Sequence, residues 1–209
     1  MDEQLRLIQD ARRLGLELAP AAAMRLLRLI DELERWSKAY NLTALRRRED
    51  MLTHHLLDSL AIHADLKGPS VADVGTGAGF PGLPLAVVRP QLEFTLVDSS
   101  NKKIRFVAHA ARALGLENVT PVHARVESLK AARPYATVVA RAFAALPELL
   151  AKVSPLCGEG TRVLAMKGRL PRAELAAIGP PWTLIEARSL HVPGLDAARH
   201  LIVVERRDR

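Results

Sequence analysis

The sequence of 209 residues contains a single cysteine, Cys157, and few aromatic side chains, which make up 4% of the chain. A lone cysteine excludes an internal disulfide and a zinc site built from several cysteines. The stretch with fewest charges, residues 69–88, is interrupted by Asp73 and by several prolines and glycines, so it predicts no membrane span. The first residues lack the apolar segment of a secretory signal peptide. We therefore expect a soluble protein of a reducing compartment, the cytoplasm.

Acidic residues are scarce in the second part of the chain. Residues 1–70 contain 11 basic and 11 acidic side chains, whereas residues 71–209 contain 19 basic and 12 acidic ones and carry the whole net charge of +7. A basic surface favours a polyanionic partner, because net charge steers association. The alternative is an arginine-rich composition that only keeps the protein soluble. With so few aromatic side chains, charge rather than base stacking should dominate the affinity for a nucleic acid.

Residues 1–68 predict a helical extension. Apolar side chains recur at steps of three and four residues over 23–40, which makes one apolar face on a long helix. A weaker helix precedes it and stops at Gly15. A third helix is predicted over residues 50–66, because leucines recur there at every fourth position.

Residues 69–209 predict one compact α/β domain, because short apolar runs alternate with helical stretches. This alternation implies right-handed crossovers and a mostly parallel sheet. The last two predicted strands have no helix between them, so we expect an antiparallel C-terminal edge strand. The predicted strands are residues 71–74, 94–98, 119–123, 136–140, 163–166, 183–187 and 201–205, and the helices after the first strands are 101–114, 146–153 and 172–178.

A glycine-rich segment, residues 73–82, follows the first predicted strand of the sheet, where ligands bind in open α/β folds. It lacks the Gly-Lys-Ser/Thr ending of a phosphate-binding loop. Phe80 stands where the dinucleotide-binding pattern needs a third small residue. The glycines are instead spaced as Gly75, Gly77 and Gly79, and a single glycine pattern of this kind is weakly specific.

A second feature is Asp98, which ends the second predicted strand 23 residues after Gly75. An acid at this position can accept hydrogen bonds from both ribose hydroxyls of an adenosine cofactor. The loop and the acid together favour S-adenosylmethionine, which has no phosphate to cradle. The alternative interpretation is a tight strand–helix turn with a strand-end aspartate that caps the next helix.

Further short motifs occur in a fixed order along the chain. They are residues 73–82, 88–90 and 96–99, with Trp36 and residues 40–43, 55–59, 101–106, 125–127, 141–144, 166–168 and 199–201. In this order they resemble the RsmG family, also called GidB, of bacterial 16S ribosomal RNA guanine-N7 methyltransferases. The resemblance implies a Rossmann-like S-adenosylmethionine-dependent methyltransferase fold. It also implies methyl transfer to N7 of guanine 527 in the RNA of the small subunit.

The resemblance assigns roles in cofactor binding. Asp98 would hold the ribose, and Val126 with Glu127 would flank the adenine. Arg141, at the end of the fourth predicted strand, would face the methionine end or the target base. The residues implied in cofactor binding are Gly75, Gly77, Gly79, Phe80, Asp98, Val126, Glu127 and Arg141.

Candidates for contact with RNA lie near the ends of the later strands. Phe143 could stack on the target guanine, and Lys167 could contact a phosphate. The alternatives are a core phenylalanine, a solvated lysine and, for Arg141, a surface ion pair. The RNA-binding candidates are Phe143, Lys167, Arg169, Arg199 and His200.

No single residue is predicted to act as a catalytic acid or base. Guanine N7 has a lone pair and no proton, so in-line positioning of the two reactants suffices for methyl transfer. We interpret Cys157 as a structural thiol. The histidine run His54 and His55, together with Asp58, looks like a pair of metal ligands at helical spacing. No third ligand is in view, so no metal is expected. The candidates for any catalytic role are Arg141 and Lys167.

The expected partner is 16S ribosomal RNA or the small ribosomal subunit, and the expected state is a monomer. Three other functions stay open at this point. A small-molecule methyltransferase would share the loop and Asp98 but has no need of a basic domain. A non-catalytic cofactor-binding or RNA-binding regulatory protein is the second, and a dehydrogenase, disfavoured by Phe80, is the third.

Overall fold

A seven-stranded sheet forms the centre of the molecule in the computed structural model, which describes residues 2–208. Five neighbouring strands run parallel, and β7 lies antiparallel between β5 and β6, so the expected mostly parallel sheet with an antiparallel C-terminal edge is confirmed. In the order β3-β2-β1-β4-β5-β7-β6, the strands are β1 Ser70–Val74, β2 Glu93–Asp98, β3 Val119–His123, β4 Thr137–Arg141, β5 Arg162–Lys167, β6 Trp182–Ser189 and β7 His200–Arg206.

Helices cover both faces of this sheet. The alternation of side chains along a strand sends Val139 of β4 to one face and its neighbours Val138 and Ala140 to the other, and all three are buried. The helices are α1 Glu3–Arg13, α2 Pro20–Tyr40, α3 Arg48–Met51, α4 Asp58–Leu60, α5 Gly82–Val88, α6 Asn101–Leu114, α7 Leu146–Val153 and α8 Arg172–Ala176.

The N-terminal helices share a hydrophobic core with one face of the sheet. Leu26, Ile30 and Leu33 of α2 are fully buried in the same cluster as Phe94 and Leu96 of β2. Burial of each such side chain contributes about 1.5–3 kcal/mol relative to exposure. The other face is covered by α7 and α8. Among residues 2–208, no helix is both long enough and apolar enough to cross a membrane.

The predicted third helix, over residues 50–66, is wrong at its C-terminal end. The structure has α3, then a π-helical stretch, Leu52–Leu57, and then α4, which ends at Leu60. Turns follow, in which His63 N–H donates to the Leu60 carbonyl and Asp65 N–H to that of Ile62. Leu66 is nevertheless buried in the core, so its apolar position extends the sequence pattern without extending the helix. Single π turns are frequent at functional sites.

Candidate functional site

The strand order reverses between β1 and β4, and the glycine loop follows β1 at this point. Gly75, Gly77 and Gly79 have φ angles of 68°, 62° and 87°, a backbone region that only glycine enters without strain. Thr76 N–H donates to the Val97 carbonyl of β2 at 3.0 Å, which ties the loop to the neighbouring strand. The loop therefore lies where open α/β sheets bind their ligands.

Asp73, on β1, supports the glycine loop from beneath. Its Oδ2 accepts hydrogen bonds from Thr76 Oγ1 at 2.6 Å and from Gly82 N–H at 2.8 Å. A Cβ added to Gly82 would lie 2.7 Å from the same oxygen, so only glycine fits there. Burial raises the pKa of the Asp73 carboxyl to about 6, although both hydrogen bonds oppose the shift. Its other oxygen, Oδ1, is buried and has no hydrogen-bond partner among residues 2–208.

Asp98 ends β2 beside the loop, as the sequence predicts. Its two oxygens accept hydrogen bonds from Gly77 N–H at 2.9 Å and Ser100 N–H at 2.8 Å, and Lys103 Nζ lies 3.6 Å from Oδ2. A carboxylate has about four acceptor sites, so two remain for the hydroxyls of a ligand. The main-chain bonds hold the carboxylate in place before any ligand arrives.

A cavity of about 430 Å³, here called the glycine-loop cavity, opens beside Asp98. Its volume lies within the range typical of cofactor pockets. Four residues predicted for cofactor binding line it: Gly75, Asp98, Val126 and Glu127. The other lining residues are Val97, Ser99, Lys103, Ala124, Arg125, Ala142, Phe143 and Lys152.

Phe143, a candidate for stacking on the target base, lines the glycine-loop cavity. Its ring occupies the space that a Cβ on Gly75 would need. Lys152 Nζ of α7 lies 5.6 Å from the centre of this ring and 3.2 Å from Glu127 Oε1. Lys103 and Lys152 line the cavity without having been predicted from the sequence. Lys103 stands in the first turn of the helix after Asp98, which is a usable signal, but nothing in the sequence places α7 beside this cavity.

A second cavity, of about 440 Å³, is here called the arginine cavity. Asp58 of α4 lies beneath it, between Arg141 at the end of β4 and Arg199 just before β7. Arg141 Nη1 donates to Asp58 Oδ2 at 3.1 Å, and Arg199 Nε donates to Asp58 Oδ1 at 3.1 Å. The lining residues are His54, His55, Asp58, Arg141, Ala142, Met166, Lys167, Gly168 and Arg199.

Lys167 and its neighbours form the far side of the arginine cavity. Lys167 Nζ donates to the Ala144 carbonyl at 2.7 Å and to Glu174 Oε2 at 2.9 Å, so it is an ion-paired side chain. His200 Nδ1 lies 3.3 Å from the carbonyl of Gly168, a lining residue, and Arg169 beside it is exposed. Two of the five RNA-binding candidates, Lys167 and Arg199, therefore line this cavity. His200 and Arg169 lie next to its lining residue Gly168, and Phe143 lines the other cavity.

Phe80 does not line the glycine-loop cavity. It is buried and stacks on His55 with ring centroids 4.6 Å apart, while the Arg141 guanidinium lies 5.8 Å from its ring centre. His55 Nε2 is 2.9 Å from Thr43 Oγ1, and its buried Nδ1 has no partner among the described residues. Burial, reinforced by the positive charge of Arg141, lowers the pKa of His55 to about 3. His55 is therefore neutral at physiological pH.

Arg141 belongs to the arginine cavity and not to the lining of the glycine-loop cavity. Its guanidinium also donates to the His54 carbonyl at 2.9 Å. A role at the methionine end of a cofactor stays a prediction, as do the roles of Gly77 and Gly79, which shape the loop. Gly77 N–H holds Asp98, and a Cβ on Gly79 would collide with Leu83.

The two cavities meet at Ala142, which lines both and has a φ angle of +50°. One residue therefore borders both the cavity that contains Asp98 and the cavity that contains Arg141, Lys167 and Arg199. Cys157 lies elsewhere, buried, with its Sγ 3.2 Å from the Val153 carbonyl. Burial raises the pKa of this thiol to about 12, so it is not a nucleophile at neutral pH.

The sheet order, the glycine loop after β1 and the acid at the end of β2 define the Rossmann-like fold of S-adenosylmethionine-dependent methyltransferases. Solved structures share this fold. TrmN from Thermus thermophilus superimposes with a TM-score of 0.56 at 22% identity, over 74% of this chain and 53% of that chain, so this chain spans about half of that protein. A SAM dependent methyltransferase from Aquifex aeolicus gives a TM-score of 0.56 at 16% identity, over 75% of this chain and 93% of that chain.

Sequence relatives are much closer than these structures. The family model described as rRNA small subunit methyltransferase G, GidB, matches residues 23–202. Ribosomal RNA small subunit methyltransferase G of Chromohalobacter salexigens is 48% identical over 98% of this chain and 97% of its own length. The protein of the same name from Escherichia fergusonii is 41% identical over 95% of both chains. The chain belongs to the rRNA small subunit methyltransferase G family.

Proposed function

We propose that this protein transfers a methyl group from S-adenosylmethionine to N7 of a guanine, guanine 527, in 16S ribosomal RNA. The observation that carries the proposal is the meeting of the two cavities at Ala142. One cavity offers acceptor sites for an adenosine, and the other offers cations for a polyanion. A donor and an acceptor bound in them would meet beside Ala142.

The glycine-loop cavity fits the adenosine part of the cofactor. Asp98 keeps two acceptor sites for ribose hydroxyls, and the backbone of Val126 and Glu127 borders the place that the adenine would take. Because Gly75 has no Cβ, the Phe143 ring packs directly against the main chain of the glycine loop, and both residues line the cavity. Once bound, S-adenosylmethionine supplies an electrophilic methyl group on a positively charged sulfur.

Methyl transfer to N7 requires no general acid or general base. The N7 lone pair forms the new bond to carbon, the carbon–sulfur bond breaks with its electrons going to sulfur, and no proton moves. The positive charge passes from sulfur to the purine. The protein's task is then to hold both reactants in line. Arg141 and Lys167 fit this task as fixed, ion-paired cations and not as proton carriers.

The arginine cavity favours an RNA substrate over a small apolar molecule. Arg141, Lys167 and Arg199 line it, and the exposed Arg169 extends the positive charge outward. Contacts between such groups and phosphates release counterions, so binding should weaken steeply with salt. The partner would be naked 16S RNA or the small ribosomal subunit, bound by a monomer in the cytoplasm where subunits are assembled.

The test is transfer of a labelled methyl group to small subunits that lack the modification and to naked 16S RNA. Reduction and strand cleavage then map N7-methylguanine in the product. One cleavage site that depends on the wild-type protein is the expected result. Absence of transfer to both RNAs, with cofactor binding intact, would remove ribosomal RNA as the substrate and favour a small-molecule acceptor.

A further inference from the structure

We propose, resting on the function above, that Asp58 is the positioning residue of the acceptor side. In this proposal it fixes Arg141 and Arg199 so that their remaining N–H groups face the target nucleotide. None of these three residues is near the other two in sequence, and they come from α4, from the end of β4 and from the segment before β7. Their meeting in one cavity is a property of the folded chain alone.

The geometry fixes each arginine at two points. Arg141 Nη1 donates to Asp58 Oδ2 at 3.1 Å and to the His54 carbonyl at 2.9 Å. Arg199 Nε donates to Asp58 Oδ1 at 3.1 Å, and its Nη1 donates to the Ala198 carbonyl at 3.0 Å. The Asp58 side chain is 3% exposed, so its two oxygens are held in one orientation.

The arginines keep donors for a ligand. Within residues 2–208, the Nη2 groups of Arg141 and Arg199 make no hydrogen bond, and both side chains line the arginine cavity. A guanidinium presents its N–H groups in a fixed plane, so a guanidinium fixed on one side is oriented on the other. Oxygen acceptors of the target nucleotide, the guanine O6 or a phosphate, match these donors.

Asp58 also sets the charge of the cavity. Two arginines alone would place two positive charges beside a purine that becomes cationic as it accepts the methyl group. The carboxylate between them lowers their sum by one unit, which reduces repulsion in the reaction. A buried ion pair is weak support for stability as such, because packed apolar side chains often serve as well. The effect on the charge of the cavity therefore explains the buried Asp58 carboxylate better than a contribution to stability does.

The π-helical stretch, Leu52–Leu57, explains how α4 presents the carboxylate. A π turn contains one residue more than an α turn and rotates the residues that follow it. Residues 56–60, which comprise the end of this stretch and α4, are all buried. They include Asp58, which would face solvent on an ordinary amphipathic helix. The local irregularity thus delivers a charged side chain to the floor of the arginine cavity.

Two substitutions test the proposal, with a matched control. Asp58→Asn removes the charge and leaves one arginine facing an amide donor. Asp58→Glu keeps the charge and the ion pairs but displaces both guanidinium groups, so it covers the case in which Asp58→Asn folds poorly. The control is Asp65→Asn, because Asp65 pairs with Arg188 at 2.9 and 3.0 Å, lies outside both cavities and is partly buried, with its side chain 13% exposed.

The measurements are single-turnover methyl transfer to small subunits, RNA affinity, cofactor affinity and thermal stability. Displacing a group that orients the reactants slows the Asp58→Asn enzyme by about 10- to 100-fold. RNA affinity is kept or rises, because the net positive charge increases by one. Asp58→Glu is slower than wild type at wild-type stability and cofactor affinity, and Asp65→Asn transfers at the wild-type rate.

Equal rates for both Asp58 variants and the Asp65→Asn control would overturn the inference. It would also fail if Asp58→Asn lost rate, RNA affinity and stability together while Asp58→Glu restored all three, because that pattern describes a purely structural carboxylate. A wild-type protein that methylates neither RNA would overturn the proposed function, and the inference with it. The two failures are distinguished by the wild-type reaction alone.

Discussion

The glycine-loop cavity and the arginine cavity share a wall at Ala142 but are built in different ways. In the first, the binding acid Asp98 is held by two backbone N–H groups, one of which belongs to the glycine loop. In the second, Arg141, Arg199 and Lys167 each form an ion pair with an acid. The donor side depends on backbone shape and the acceptor side on paired charges, so substitutions should affect the two sides separately.

Each cavity has a buried titratable group beside it, and the pKa values of these two groups are shifted in opposite directions. Burial favours the neutral form of both Asp73 under the glycine loop and His55 in the arginine cavity. For an acid this raises the pKa, and for a histidine it lowers the pKa. The stability of the two regions should therefore depend on pH with opposite signs.

The largest effect is expected for His55→Gln. The pKa of His55 falls from 6.5 to about 3 on folding, so its contribution to stability is present above pH 6.5 and is lost as the pH falls toward 3. Between pH 7 and pH 4.5, wild type should lose about 3 kcal/mol relative to the variant. Urea unfolding at both values measures this, with the exposed His191→Gln as control. A difference that does not change with pH would contradict a buried neutral histidine.

The second prediction is a change in cofactor affinity that leaves RNA affinity unchanged. Asp98→Ala removes a charged acceptor and should weaken S-adenosylmethionine binding by about 1.5–3 kcal/mol, with RNA affinity unchanged. Titration calorimetry measures the cofactor, and filter binding measures the RNA. Asp65→Asn serves as the control for loss of a partly buried, ion-paired carboxylate elsewhere. An unchanged cofactor affinity would disprove the ribose role of Asp98.

Asp73→Asn should show the opposite pH dependence from His55→Gln. The folded pKa is raised from 3.8 to about 6, so the contribution of Asp73 is full below 3.8 and is lost as the pH rises through 6. From pH 4.5 to pH 7, wild type should lose about 2 kcal/mol relative to the variant. Urea unfolding of wild type and Asp73→Asn at pH 4.5 and pH 7 measures this difference. A change of the same sign as for His55→Gln would refute the contrast between the two regions.

The smallest effect compares two glycines of one loop. Gly75 and Gly77 both have positive φ angles, so alanine at either position should cost about 1–2 kcal/mol of stability. Only at Gly75 would the new Cβ also meet the Phe143 ring, whereas nothing lies within 4 Å of it at Gly77. Displacing that ring should weaken cofactor binding by about 1 kcal/mol more in Gly75→Ala. Equal affinities in the two variants would show that Phe143 moves freely.

The parts of the molecule that depend on local sequence could be predicted, and the parts that depend on distant contacts could not. The parallel strands, the antiparallel pairing of β6 and β7, the glycine loop and Asp98 follow from short-range patterns. The end of α4 was missed, because Leu66 continues the apolar spacing after the helix has stopped. The ion pairs of Asp58 could not be seen, because their partners lie 83 and 141 positions away.

The position of β7 has a consequence for synthesis of the protein. β7 is made after β6, yet it lies between β5 and β6 in the sheet. Until residues 200–206 have left the ribosome, β5 has an open edge and β6 has no neighbour to pair with. An unpaired edge is a site of aggregation. The nascent chain therefore exposes unpaired strand edges until β7 is complete, and a chain cut before Arg199 would lose both β7 and one of the two arginines that pair with Asp58.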